Sequence, residues 1–215
     1  MTTAMPRVYD EAVVACIHHA GGTTACFAGW SVPEARLELL GYRGARHGSL
    51  ADLAATMAEG LAQFGSGGVV LYGHSMGAVL AYEAALLLER AGLPPAAVVL
   101  AASASPDPMR RPRAVPRPGL PAASGRRAAE VLEADLALLD AYGGREAARE
   151  HSLAAPVLLV AADDDEVVAA RDVWDWERWC LTRPERLLVT GGHLFHRRSR
   201  ALPAAIARYV PARAA

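Results

Sequence analysis

Val69-Val70-Leu71-Tyr72-Gly73-His74-Ser75-Met76-Gly77-Ala78 is the stretch on which the fold turns. Residues 69–72 are apolar, partly β-branched and bounded by glycine, and they read as a buried strand. Met76 opens a helical run that continues to Ala91, where Gly92 and Pro94 stop it. Between strand and helix stands one serine with a glycine two places away on either side. A turn this tight leaves no room for side chains at 73 and 77, because they would strike the adjoining strand and helix. It also holds the serine in a strained conformation, its hydroxyl proud of the sheet at a helix N-terminus.

Working outward, apolar strands alternate with helices. Residues 12–17 form a short strand that runs into His18-His19-Ala20-Gly21-Gly22, and residues 36–42 a weaker one. Leu50, Leu53, Met57, Leu61 and Phe64 give a helix over 50–64. A strand at 97–101 and an amphipathic helix at 128–142 follow. Then come a strand at 156–161, a helix at 168–180, a strand at 186–189 and a closing helix at 200–210. Trp176 and Trp179, three apart, are expected to pack on the sheet and Trp174 to be exposed. Such alternation implies a mostly parallel sheet with helices on both faces. The one break in composition is 103–127, rich in proline and arginine and without periodicity. It reads as an insertion over the sheet, so residues 1–215 are expected to form one domain.

Composition excludes several classes. The 215 residues carry 22 basic and 23 acidic side chains, a net charge of −1, and every basic residue is arginine. Nothing global points to nucleic acid or an acidic membrane. Cys16, Cys26 and Cys180 have no CxxC spacing and are expected to be buried, reduced thiols. The apolar run 12–17 is too short for a signal peptide, and Glu83 interrupts the longest apolar window. A cytoplasmic protein that is a monomer, touches no membrane and needs no cofactor is the expectation.

Ser75 needs a base and an orienting acid, since a hydroxyl alone is a poor nucleophile. Asp163-Asp164-Asp165 follows the strand at 156–161, and His193 follows the strand at 186–189 after Gly191-Gly192. The order serine, aspartate, histidine, each after a strand, is that of the α/β-hydrolase fold. His193 would carry the proton and the aspartate would fix its tautomer. His196, beside Arg197-Arg198, is the rival base and reads better as a solvated surface residue. The amide of Met76 and one from the loop 19–24 would hold an oxyanion. A metal centre built from Asp163–Asp165 and His18-His19 is the weaker reading, because adjacent carboxylates splay apart, so no metal is expected.

These segments resemble the type II thioesterases of polyketide and nonribosomal peptide synthases. Cys16-Ile17-His18-His19-Ala20-Gly21-Gly22 is similar to their first-strand loop. Gly73-His74-Ser75-Met76-Gly77-Ala78 with Leu88-Glu89-Arg90-Ala91-Gly92-Leu93-Pro94 is similar to their elbow and its helix. Leu132-Glu133-Ala134-Asp135 through Tyr142 resembles a family helix, and Gly191-Gly192-His193-Leu194-Phe195 their histidine loop. The resemblance implies hydrolysis of acyl groups from the phosphopantetheine arm of an acyl- or peptidyl-carrier protein. It implies Ser75, Asp165 and His193 as the triad, Asp164 as fallback acid, and Met76 and Ala20 as oxyanion donors. A small-molecule carboxylesterase or acyltransferase with the same triad, or a non-catalytic carrier-binding relative, are the alternatives.

Three departures stand out against that resemblance. The family's tyrosine-proline-glycine-arginine loop is Tyr42-Arg43-Gly44-Ala45-Arg46 here. Glu166 replaces the usual proline after the acid. The helical lid of the family is shortened to the Pro/Arg-rich 103–127, which implies a reduced lid and an open acyl site.

Overall fold

The computed structural model describes residues 12–42, 48–107, 125–146 and 148–212. Its centre is a six-stranded sheet: β1 (Ala12–Ile17), β2 (Ala35–Leu40), β3 (Val69–His74), β4 (Ala97–Ala101), β5 (Val157–Ala162) and β6 (Glu185–Val189), in the order β2-β1-β3-β4-β5-β6. Every pairing is parallel. The four inner strands are almost wholly buried, whereas β2 and β6 lie at the edges and are half-exposed. This is why the inner strands read as continuous apolar runs and β2 read weakly.

Alternate residues of the four inner strands feed two cores. Val13, Ala15, Ile17, Leu71, Leu100 and Leu159 face α1 (Leu50–Leu61), α2 (Met76–Arg90) and α4 (Ala170–Trp174). Val14, Cys16, Tyr72, Val99 and Val160 face Phe27, Phe195 and α5 (Ala201–Ala207). The sheet is thus covered on both faces, as the alternation of strands and helices required. Chain direction across the sheet reverses between β1 and β3, whose C-terminal ends Ile17 and Gly73 are paired. Ligands of open parallel sheets gather at that point.

Some expected elements are reshaped. The helix expected over 168–180 is α4 followed by a 3-10 segment, Asp175–Trp179. Three residues per turn put Trp176 and Trp179 on one line, and both are fully buried. Trp174, expected to be exposed, is half-buried, with the Arg186 guanidinium 5.5 Å from its ring centre. α3 (Arg126–Ala141) begins two residues before the expected helix. Of the cysteines only Cys16 is fully buried; Cys26 and Cys180 are half-buried thiols at the ends of 3-10 turns. Of the 103–127 segment, residues 108–124, with Arg110, Arg111, Arg113 and Arg117, lie outside the described residues, as do Arg43 to Arg46. No helix among the described residues is long and apolar enough to cross a membrane.

Candidate active site

β3 ends at His74 and α2 begins at Met76, so one residue makes the turn. Ser75 sits at φ 56° and ψ −121°, a left-handed conformation for a residue with a side chain. Such strain costs on the order of 1–3 kcal/mol and persists only when neighbours over-determine it. Here they do. A Cβ on Gly73 would stand 2.1 Å from the carbonyl oxygen of Gly77, and one on Gly77 would stand 2.4 Å from that of Ile17. The Ser75 amide donates to the Ala101 carbonyl at 2.8 Å, pinning the turn to the end of β4.

Two later strand ends complete the constellation. His193 Nε2 lies 3.1 Å from Ser75 Oγ. His193 Nδ1 lies 3.1 and 3.0 Å from the two carboxylate oxygens of Asp165. Both side chains are shielded, at 4% and 1% exposure, so the pair works in a low dielectric. Asp165 also accepts the amides of Val167 and Val168 at 2.8 and 2.9 Å. Burial alone would raise the Asp165 pKa; the bond to His193, its charge and these two amides outweigh burial and hold it below the ordinary carboxylate value.

The neighbouring acids have other partners. Asp163 accepts the Gly191 amide at 3.0 Å, bracing the turn before His193. Asp164 is exposed and offers its own amide to the Gly191 carbonyl. Glu166, in place of the expected proline, accepts the amide of His193 at 3.1 Å. The acids that read as one triplet therefore do separate jobs, and the one that meets the imidazole is Asp165.

The loop after β1 lies beside the elbow, because the carbonyls of Ile17 and His18 border Gly77. Tyr42 donates its hydroxyl to the carbonyls of His18 and His19, at 3.2 and 3.0 Å, and stacks on the His18 ring at 4.1 Å. The Gly22 amide turns back to the His19 carbonyl at 2.9 Å. The Gly21 amide donates to Asp135 of α3 at 2.7 Å. Ala20 lies between these anchors. Met76 is the first residue of α2, where an amide finds no acceptor within its own helix.

Sequence reasoning missed three supporting residues. Asp135 is a buried acid on the Leu132, Leu136 and Leu139 face of α3. A carboxylate on an apolar stripe was the available signal. Tyr42 and His74 carried no such signal. The His74 ring is wholly buried and bridges the Tyr72 hydroxyl at 3.0 Å and the His193 carbonyl at 2.7 Å. Burial first, then His196, His193 and His19 nearby, push its pKa well below the ordinary imidazole value. The neutral ring donates from Nε2 to the carbonyl and accepts from Tyr72 at Nδ1.

The reading of His196 as a surface residue is overturned. Its ring is fully buried, 3.9 Å from the His74 ring centre and 5.2 Å from that of His19. The 3-10 turn Phe195–Arg197 directs Phe195 and His196 inward while Arg197 and Arg198 remain exposed, so adjacent arginines misled. Of the residues weighed for a metal centre, Asp163 accepts from Gly191, Asp165 meets His193 and the His18 ring stacks on Tyr42.

A parallel sheet with a strained serine turn and later strand ends that supply acid and histidine defines the α/β-hydrolase class. Within it, the chain belongs to the thioesterase domain family, whose sequence model matches residues 12–212. A Streptomyces griseus protein named "Probable cadicidin biosynthesis thioesterase" is 29% identical over 222 residues, covering 88% of this chain. This chain spans only 60% of that relative's length. Among solved structures, the thioesterase RedJ from the prodiginine biosynthetic pathway in Streptomyces coelicolor superposes with a TM-score of 0.77 at 24% identity. That likeness covers 95% of this chain and 91% of RedJ. An alanine mutant of YbtT, a type II thioesterase from the yersiniabactin NRPS/PKS pathway, gives 0.78 at 21% identity over 94% and 93%. These structural likenesses establish a shared fold.

Proposed function

We propose that this protein is a serine thioesterase that hydrolyses acyl groups from the phosphopantetheine arm of a carrier protein, in the cytoplasm, during polyketide or nonribosomal peptide assembly. The observation that carries this reading is the continuous relay Ser75 Oγ–His193–Asp165, with links of 3.1 and 3.0 Å, in a chain of the thioesterase family. In the acylation step, Ser75 Oγ attacks the thioester carbonyl carbon while His193 Nε2 takes the hydroxyl proton. The amides of Met76 and Ala20 hold the resulting oxyanion; each such donor contributes about 3–4 kcal/mol of transition-state stabilisation. Ala20 is the choice within its loop because the amides of Gly21 and Gly22 are committed elsewhere. As the carbon–sulfur bond breaks, His193 returns the proton to the departing thiolate. A water then attacks acyl-Ser75, His193 takes its proton, and the acid leaves as the proton returns to Ser75.

The fall in dielectric around the pair makes this relay effective, since the imidazolium that forms stands against an ionised Asp165. Comparing kcat/KM on an acyl-carrier protein, an acyl-cysteamine thioester and an aryl ester tests the substrate class. The carrier substrate is expected to lead. A preference for oxygen esters would favour a carboxylesterase instead.

A further inference from the structure

Beside the elbow lies a second group of chemically active side chains that the hydrolytic relay does not use. The ligand atoms of His19, Cys26 and His196 all lie within 4.8 Å of one another. His196 is fully buried, and among the described residues neither of its ring nitrogens has a hydrogen-bond partner. Buried polar atoms are nearly always satisfied, and an imidazole with both nitrogens orphaned asks for a water or an ion. The two residues nearest it in this group offer an imidazole and a thiol.

We infer that His19, Cys26 and His196 form a binding site for a borderline-soft divalent transition-metal ion of the zinc type. Two imidazoles and a thiolate are donors that such ions favour, and the absence of a carboxylate in the trio disfavours magnesium or calcium. Tetrahedral zinc holds such donors at about 2.0–2.3 Å, which needs the three side chains to close by roughly 1 Å. As the bond forms, the Cys26 thiol gives up its proton to solvent, each histidine supplies one ring lone pair, and a water fills the fourth position. No electron is transferred. Arg197 is the guanidinium that opposes a cation here, with Nη2 3.4 Å from His19 Nε2; it is exposed and turns out into solvent as the ion enters.

Occupation ties together the two loops that serve the proposed relay. His19 precedes Ala20, and His196 follows His193 by three residues. The His74 ring lies between, 3.9 Å from that of His196 and 5.6 Å from that of His193. A divalent charge there opposes formation of the His193 imidazolium, so zinc is expected to slow hydrolysis. That clause alone rests on the thioesterase reading.

Titrating the full chain, stripped with a chelator, with cobalt(II) tests the site. One equivalent should produce a thiolate-to-cobalt charge-transfer band that zinc displaces. Cys26→Ser should abolish the band and weaken zinc binding by roughly 100-fold or more. Cys16→Ser and Cys180→Ser should leave both unchanged, and Arg197→Gln should tighten binding several-fold. Cys26 is half-buried, so its serine variant tests the site without the folding risk of changing His196; circular dichroism verifies the fold. Cobalt binding without the band, or zinc affinity unchanged in Cys26→Ser, would overturn the site. Saturating zinc should lower kcat at least tenfold in the parent and not in Cys26→Ser, and an unchanged kcat in the parent would overturn the inhibitory role. A protein that binds zinc as described but hydrolyses no thioester would contradict the role of Ser75 and leave the metal site standing.

Discussion

His74 Nε2 donates to the carbonyl oxygen of His193 at 2.7 Å, so the residue before Ser75 holds the backbone of His193. The Tyr72 hydroxyl fixes the other side of the ring. This bond reaches from the end of β3 to the loop after β6 and sets the height of the His193 ring over Ser75. Its loss should misplace the base while leaving the surface that meets substrate intact. His74→Ala is expected to lower kcat by roughly 10–100-fold with little change in KM. An unchanged kcat in a folded His74→Ala protein would show that the bond is merely structural.

The acid assignment separates two adjacent residues. Ser75→Ala and His193→Ala should each reduce kcat by several orders of magnitude. Asp165→Asn should approach them, since the amide cannot hold the tautomer or the imidazolium. Asp164→Asn should be mild, because the Asp164 side chain is exposed and Asp165 meets the ring. Steady-state kinetics on one thioester substrate decide it, and a severe Asp164→Asn would move the acid by one residue.

Acid should destabilise the fold well before its carboxylates titrate. Burial first, then His19, Arg197 and His193 nearby, push the His196 pKa down to about 2, and His74 is likewise held well below its ordinary value. Both rings stay neutral in the fold but take protons near pH ~6.5 when unfolded. The unfolded chain therefore binds more protons below that pH. Stability is complete above it and falls by about 1 kcal/mol per pH unit for each histidine as pH drops. Asp165, with a lowered pKa, adds stability that is present above the ordinary carboxylate value of ~3.9 and is lost only as pH falls through the lower folded value. Urea midpoints should decline steadily from pH 7 to 5; a flat profile would contradict the neutral, buried state of the two rings.

Glu83, the acid that interrupts the apolar sequence of α2, is buried against α3 and the loop beyond it. Arg145 grips its carboxylate with Nε and Nη2, both at 2.6 Å, and the Tyr142 hydroxyl donates to it as well. Removing the arginine would strand a buried charge. Arg145→Ala should cost about 3 kcal/mol and lower Tm by roughly 6–12 °C. Tyr142→Phe should cost about 1 kcal/mol. Thermal melts would contradict this if Arg145→Ala melted with the parent.

Much of this was legible from local signals. Gly73, Ser75 and Gly77 announce the elbow because its constraint is backbone geometry within five residues. The acid and histidine could be ordered because each sits just past an apolar strand. What escaped was long-range. The His74 bond spans 119 residues and the Gly21–Asp135 bond 114, so neither leaves a periodic trace. His196 misled for a different reason: a 3-10 turn sends consecutive side chains in different directions, and the charge of Arg197 says nothing about its neighbour. The zinc-type group was invisible to spacing rules because its ligands come from two loops about 170 residues apart. The Pro/Arg-rich segment remains an expectation, since 108–124 lie outside the described residues. Its test is kinetic: kcat/KM for a carrier-bound substrate should fall steeply with salt while that for a cysteamine thioester does not.

The central claim is that Ser75 takes the acyl group from a carrier thioester. Its most direct test is intact-protein mass spectrometry, with peptide mapping, after brief incubation with a panel of acyl-carrier proteins. An added acyl mass on the peptide containing Ser75, absent from Ser75→Ala, is the expected result. Release of free acid with no acyl mass on Ser75, and undiminished in Ser75→Ala, would contradict it.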